Sequence, residues 1–348
     1  MEMTNLTIIL GAGASTGSTQ HGITSQSDII PPLTKDLFLP QYDFVLGKYG
    51  DVKSGTVGLS SSMTDGKSLE DRVKDELGTL SNYGSLSPHR KRSFNQLPLY
   101  LQDLFGYISS ELNNKTFYSR FVNIIFDYID KKSFKVTFIT LNYDLLLDFA
   151  LERVVGKQFE GFGNYTDESH KWVLLKPHGS VNWFRQINRY TQTGSNFESW
   201  NAIVRDLNVS SDLSTELRFV NLAEFREGFV DGIPHYPALA IPNTEYSPLY
   251  PLEEFHTVLK ERLAECHNYL IIGFSAYDQD LLEVLNKNVK EVKRYLIVGL
   301  GDVAEVYKRL EKGASLFSAE KPTEVQYGTG FGKFVSSTDL TSFLNELT

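Results

Sequence analysis

The sequence contains a single cysteine, Cys266, in 348 residues. A disulfide within the chain is therefore impossible, and a four-cysteine zinc module is excluded. So little cysteine fits a reducing compartment. Long hydrophobic runs are also missing, and none approaches the ~18 residues of a membrane span. The opening MEMTNLTIILGAGAS has a short apolar stretch but lacks the basic start of a signal peptide. The expectation is a cytoplasmic chain with no membrane contact. A basic excess is absent too: 34 Lys and Arg stand against 43 Asp and Glu, a net charge of −9. That argues against direct nucleic-acid binding, which usually needs a basic face. It leaves room for a small anionic ligand, because backbone N–H groups at a helix start hold anions without positive side chains.

What remains is an ordinary globular composition, 41% hydrophobic and 22% charged. At about 150 residues per domain, the length suits two domains or one domain with an insertion. Short apolar runs alternate with helix-period stretches, the pattern of an α/β fold with a mostly parallel sheet. Strands are expected at residues 7–10, 134–140, 172–176, 237–241, 268–274 and 294–300, with an edge strand at TEVQY. Helical patterns follow most of them, and STDLTSFLNEL reads as a terminal helix capped by Ser337 or Thr338. Two stretches break the rhythm. Residues 41–131 hold a Gly/Ser-rich segment at 53–68 and then two long helical patterns, a mainly helical insertion entered through a mobile loop. Residues 186–236 are polar with scattered aromatics, an irregular or β-rich excursion. The core is thus assembled from 1–40, 132–185 and 237–348. The basic cluster His89-Arg90-Lys91-Arg92 reads as a solvated loop.

Four motifs fall at the carboxyl ends of strands, where open α/β sheets bind ligands. The first is Gly11-Ala12-Gly13-Ala14-Ser15. Its glycines allow a tight turn and close approach to a diphosphate. It is not a dehydrogenase fingerprint, because Thr16 stands where G-x-G-x-x-G needs glycine, nor a P-loop, which needs GK[ST]. The second is Thr140-Leu141-Asn142-Tyr143-Asp144, whose Asn or Asp reads equally as a cap for the helix LLLDFAL. The third is Lys176-Pro177-His178-Gly179-Ser180. His178 is there either as a satisfied structural histidine or as a base that works near neutral pH. The fourth, Gly273-Phe274-Ser275-Ala276-Tyr277-Asp278, repeats the Gly-x-Ser logic of the first. Ser275 suits a ribose or phosphate hydrogen bond, and Asp278 suits a helix cap.

Taken in order, GAGAS, TLNYD, KPHGS and GFS resemble the sirtuin family. The resemblance covers the first 40 residues and roughly 132–300. It implies a sirtuin-like Rossmann-type fold, mostly parallel, with helices on both faces, plus the helical insertion. The family's GIPDFR segment is missing, so its Asp and Arg have no counterpart here. Only 36 residues separate Asn142 from His178, too few for the family's zinc ribbon, and its four cysteines are absent. TLNYD, PHGS and PPLTKDLF look like the bacterial antiphage-defence branch, whose members hydrolyse NAD.

By that resemblance NAD is the substrate and no metal is expected. Asn142 would hold the ribose hydroxyls or the attacking water, and His178 would act as base. Asp144 would touch the nicotinamide carboxamide. Gly11, Ala12, Gly13 and Ser15 would line the diphosphate, while Gly273 and Ser275 would flank the adenosine ribose. Gly179 would shape the turn that aims His178, with Asn182 behind it. The implied partners are further copies of the chain, forming a homo-oligomer, or a separately encoded activator such as an ATPase, an Argonaute-like protein or a phage component. Protein deacylation or ADP-ribosyl transfer at the same NAD site is the second reading. A non-catalytic sensor of NAD or ADP-ribose is the third.

Overall fold

A computed structural model describes residues 3–19, 29–55, 83–188, 197–209, 211–222, 228–240, 253–301, 303–318, 324–326 and 330–348. Most of the Gly/Ser-rich segment, and with it the expected mobile loop, lies outside the described residues. The described chain forms ten strands: β1 (Thr4–Leu10), β2 (Phe134–Thr140), β3 (Trp172–Leu175), β4 (Gly179–Gln186), β5 (Arg218–Phe219), β6 (Phe229–Val230), β7 (Ile233–Leu239), β8 (Asn268–Ile272), β9 (Arg294–Val298) and β10 (Glu324–Gln326). The helices in its first half are α1 (Ala12–Gly17), α2 (Asp43–Leu46), α3 (Gly50–Gly55), α4 (Pro88–Leu112), α5 (Tyr118–Lys132) and α6 (Leu146–Val155). Those in its second half are α7 (Phe197–Arg205), α8 (Glu253–Glu265), α9 (Gln279–Asn288), α10 (Val303–Gly313), α11 (Gly330–Ser336) and α12 (Asp339–Glu346). Among the described residues no helix is long and apolar enough to cross a membrane.

The chain divides into two compact units. One comprises Met1–Pro31, Ser109–Pro177 and Leu252–Thr348; the other comprises Pro32–Ile108 and His178–Pro251. Two of the four crossings between them fall within α4 and within the KPHGS motif.

The first unit carries a six-stranded sheet in the order β10-β9-β8-β1-β2-β3, with every pairing parallel. This is the doubly wound order, in which the winding direction reverses between β1 and β8. Parallel strands are covered on both faces and so read as unbroken apolar runs. Ile8, Ile9, Leu10, Val136, Phe138, Ile139, Leu270 and Ile271 are all buried. The flanking helices follow their sequence period. In α5, Tyr118, Phe121, Val122, Ile125 and Ile129 form one buried stripe. That helix stops at Ser133 in the left-handed region, with Lys131 and Lys132 in its last turn facing the negative end of the helix dipole. Asp278 caps α9 by accepting from the Leu281 N–H at 3.1 Å. Thr338 occupies the cap position of α12 but its side chain makes no capping bond.

The second unit has a four-stranded antiparallel sheet in the order β5-β4-β7-β6. Residues 237–239 of the expected strand at 237–241 are therefore the end of β7 and belong to this sheet; residue 241 lies outside the described residues. Phe184, Val220 and Val230 pack together in its core. A buried Asn95 on α4 joins the unit's helices to its sheet. Its Nδ2 donates to the carbonyls of Val204 and Leu207 at 3.0 and 2.8 Å, and its own carbonyl accepts from the Tyr236 hydroxyl at 2.8 Å. Amide pairs of this kind leave no buried polar group stranded. His89–Arg92 is not a loop: it forms the first turns of α4. Arg92 and Arg205 both bond the carboxylate of Asp51, at 3.3 and 2.8 Å.

Candidate functional site

The first unit's sheet reverses its winding at β1 and β8, and open α/β sheets bind ligands past the carboxyl ends of the strands at such a switch point. The GAGAS turn follows β1 there, and Gly273 follows β8. The two turns touch backbone to backbone. The Gly11 N–H donates to the Ile272 carbonyl and the Gly13 N–H to the Gly273 carbonyl, both at 3.0 Å. Two of the N–H groups expected to face a diphosphate are thus consumed by strand packing. The contact requires glycine. A Cβ on Gly273, whose φ is +60°, would lie 2.1 Å from the Ala14 nitrogen and 2.3 Å from the Gly13 carbonyl carbon. A Cβ on Gly11 would lie 2.6 Å from the Gly273 oxygen. Gly13 and Ala12 stay partly exposed, so the turn presents bare backbone. Ser275 is exposed, and its carbonyl accepts from the Arg309 Nε at 2.8 Å. The Arg309 guanidinium stacks over the Tyr277 ring at 4.3 Å.

One strand over, β2 delivers Asn142 and Asp144 to the same end of the sheet. Register explains this: Leu10 pairs with Thr140, so the two motifs leave their strands side by side. Asn142 is 8% exposed, and its Nδ2 donates to the Gly11 carbonyl at 3.1 Å and to Ser15 Oγ at 3.0 Å. An amide nitrogen has two hydrogens, so both are placed and Oδ1 is the atom left to accept from a ligand. Ser15 is buried. Its hydroxyl donates to Asp144 Oδ2 at 2.8 Å and lies 3.1 Å from the Tyr118 hydroxyl. With the carboxylate ionised, Ser15 gives its one hydrogen to Asp144 and accepts from Asn142 and Tyr118. Its capacity is then full. Ser15 is thus the hub of a side-chain network.

Asp144 has two tasks. Oδ2 takes the serine, and Oδ1 accepts from the Leu146 N–H at 3.1 Å, which caps the start of α6. The cap reading and the site reading of this residue hold together. Burial pushes its carboxyl above the ordinary aspartate range, and Asp148 adds to that rise. Lys176, Ser15 and the Leu146 N–H oppose it. Tyr118 is raised as well, by burial first and then by the charge of Asp144.

Four residues of this network were not picked out as site residues from sequence: Tyr118, Asp148, Tyr165 and Lys176. Lys176 Nζ donates to the Asp144 carbonyl at 2.7 Å and to Asp148 Oδ2 at 3.0 Å. The Tyr165 hydroxyl donates to Asp148 Oδ1 at 2.8 Å. Lys176 and Asp148 carried a signal: each is a lone charge in an apolar run, WVLLK and LLLDFAL. Tyr118 lies 103 residues from its partner Ser15 and carried none.

His178 opens the second unit. It is 5% exposed, and its carbonyl accepts from the Ala240 N–H at 2.8 Å. Gly179 follows at φ +81°, where a Cβ would sit 2.1 Å from the Ala238 oxygen. Only glycine fits that turn, so the close approach of β4 and β7 fixes where the His178 backbone runs. Ser180 and Asn182, next on β4, are both buried.

No family model matches the chain. No curated protein matches it either. Solved sirtuin structures are similar to it at low identity. A Sir2 homologue in complex with NAD is 11% identical, with a TM-score of 0.41 over 99% of this chain and 90% of that one. Sir2 bound to acetylated peptide is 10% identical, with a TM-score of 0.41 over 98% and 94%. Sir2 with the inhibitor EX-527, 2'-O-acetyl-ADP-ribose and a deacetylated p53 peptide is 11% identical, with a TM-score of 0.40 over 98% and 94%.

Proposed function

We propose that this chain binds NAD at the β1/β8 crevice and cleaves its N-glycosidic bond, releasing nicotinamide and ADP-ribose. One observation carries the reading. Ala12 and Gly13 leave partly exposed backbone beside a buried Ser15–Asn142–Asp144 network, all past the strand ends at the switch point of a doubly wound parallel sheet. Bare backbone suits a diphosphate, and the network presents an amide oxygen to a ribose.

The chemistry asks little of the protein. Nicotinamide leaves from a ring that is already cationic, so no general acid is needed, unlike in two-carboxylate glycosidases. The transition state is oxocarbenium-like. The site has to orient the ribose and admit one water. Asn142 Oδ1 accepts from a ribose hydroxyl or that water. The resemblance assigns the base to His178, and a positioned base contributes about 10²–10⁴-fold. Asp144 and Ser15 hold Asn142 in place. Gly273 and Ser275 lie on the adenosine side.

The lone cysteine favours hydrolysis over protein deacylation, since no zinc ribbon is available to build a peptide groove. A free NADase would exhaust its own cell. The chain is therefore held silent until an activator engages it, in keeping with an antiphage effector that works as a homo-oligomer in the cytoplasm. The test follows nicotinamide release from NAD by purified protein, with and without candidate activators. The expected result is turnover that Asn142→Ala and His178→Ala each abolish while the unfolding midpoint holds. Tight NAD binding with no nicotinamide under any condition refutes catalysis. O-acyl-ADP-ribose formed from an acyl-lysine peptide would instead establish the deacylase reading.

A further inference from the structure

A buried ion pair lies behind the Asn142–Asp144 turn, and the reaction proposed above makes no use of it. The Lys176 side chain is 0% exposed and that of Asp148 is 4% exposed. The ammonium places two of its hydrogens, one on Asp148 Oδ2 and one on the Asp144 carbonyl. The second Asp148 oxygen accepts from Tyr165, so both carboxylate oxygens are satisfied. As a source of stability such a pair is poor. Desolvating two charges offsets their attraction, and apolar replacements are often neutral or better.

The pair nevertheless does something no apolar side chain can: it fixes a main-chain carbonyl. That carbonyl belongs to Asp144. The Asp144 carboxylate holds Ser15, and Ser15 holds the Asn142 amide. An unbroken series of bonds thus runs from Asp148 through Lys176, Asp144 and Ser15 to Asn142. Lys176 never reaches the crevice itself.

We propose that Lys176, held by Asp148 and Tyr165, is a positioning residue that fixes the turn presenting Asn142 to the ribose. This rests on the NAD-cleaving reading. A displacement of about 1 Å at a catalytic group costs about 10²-fold in rate. The loss falls on kcat rather than KM, because the remote parts of NAD still bind.

The experiment compares full-length wild type, Lys176→Met, Lys176→Met/Asp148→Asn and Tyr165→Phe for kcat, KM and unfolding midpoint. Lys176→Met alone strands a buried carboxylate and lowers the midpoint. The double variant removes both charges and keeps an acceptor for Tyr165, so its midpoint recovers in part, the Asp144 carbonyl still lacking its donor. A positioning role predicts that its kcat does not recover, staying about 10²-fold down with KM little changed. A purely structural role predicts that kcat returns with the fold, and that result overturns the proposal. Should the double variant fail to fold, Tyr165→Phe decides. It removes one oxygen, and a kcat equal to wild type there overturns the proposal as well. A wild type that binds NAD yet releases no nicotinamide refutes the NAD-cleaving reading itself and takes this inference with it. An active wild type with an unaffected double variant refutes only the role of Lys176.

Discussion

Gly273→Ala tests the contact on which both the fold and the site depend. Two costs add. The residue sits at φ +60°, and a side chain in the left-handed region costs about 1–2 kcal/mol. The new Cβ would also meet three backbone atoms of Gly13 and Ala14 at 2.1, 2.3 and 2.7 Å. Backbone cannot swing aside as a flexible side chain can, so the β1 and β8 turns must part. Overpacking of this kind costs about 1–3 kcal/mol. The sum is about 2–5 kcal/mol, a large share of the roughly 5–15 kcal/mol that holds a folded protein together. Gly13→Ala is milder. Its Cβ comes no closer than 2.9 Å, its φ is ordinary, and alanine regains about 1 kcal/mol of helix propensity in α1. Gly163→Ala meets nothing within 4 Å and is the control, expected within about 0.5 kcal/mol of wild type. Urea unfolding of the three variants should give losses in the order Gly273, Gly13, Gly163. A Gly273→Ala midpoint no lower than that of Gly163→Ala would refute the close-packed switch point. Isothermal titration with NAD on the same samples should show the weakest binding for Gly273→Ala.

Two further predictions concern single carboxyl groups. Asp144 is buried with its carboxyl raised, and the unfolded chain titrates near 3.9. Below that value both states are neutral and its contribution to stability is fully present. As pH rises through the raised folded value, the folded state must carry a buried charge and that contribution is lost. Facing the carboxyl are Ser15 from α1, Tyr118 from α5, Asp148 and the Leu146 N–H from α6, and Lys176 after β3. Urea midpoints across acid to neutral pH should therefore show wild type losing ground to Asp144→Asn as pH rises, and the opposite slope counts against a raised carboxyl. Asp278→Ala removes the Leu281 cap and should cost about 1 kcal/mol by the same assay; an unchanged midpoint would mean that water replaces the cap.

Most of the parallel sheet was readable because its strands are buried on both faces. FKVTFIT matches β2 residue for residue, and NYLII and RYLIV are β8 and β9. Unbroken apolar runs followed by helical periods admit few topologies, and right-handed crossovers leave fewer still. PALAI looks the same in sequence, yet its first three residues end β7 of an antiparallel sheet. A run of five apolar residues states burial and not the direction of its neighbours. β4, just before the stretch 186–236 read as irregular or β-rich, and β5 within it show no strand period, because side chains such as Ser180, Asn182 and Arg218 interrupt it. Only pairing across 34–53 residues reveals them, as in Phe184 with Arg218 and Phe184 with Pro237. The basic run at 89–92 read as loop because four consecutive polar residues carry no period. Asp51, 41 residues away, supplies the partner that Arg92 meets in α4.

Half of the candidate site was readable for the same reason that half was not. Gly11, Gly13, Asn142, Asp144 and Gly273 sit just past strand ends, and in a doubly wound sheet strand ends converge. Their positions follow from the topology alone. What each atom does there does not. Ser15 looked like a phosphate contact because a hydroxyl after a glycine turn is free to bind one. Its partners arrive from 103 to 129 residues away, and once Tyr118, Asn142 and Asp144 have taken its hydrogen and lone pairs the hydroxyl is fully occupied. The glycine N–H groups undergo the same reversal, being spent on β8. A motif therefore identifies which backbone can approach a ligand, whereas long-range hydrogen bonds decide which atoms remain to touch it. By that count Asn142 Oδ1 and the partly exposed backbone at Ala12 and Gly13 are the atoms left near this turn for the ribose and diphosphate of the proposed substrate. Substitutions of Ser15 should accordingly act on the rate through Asn142 and not on the diphosphate.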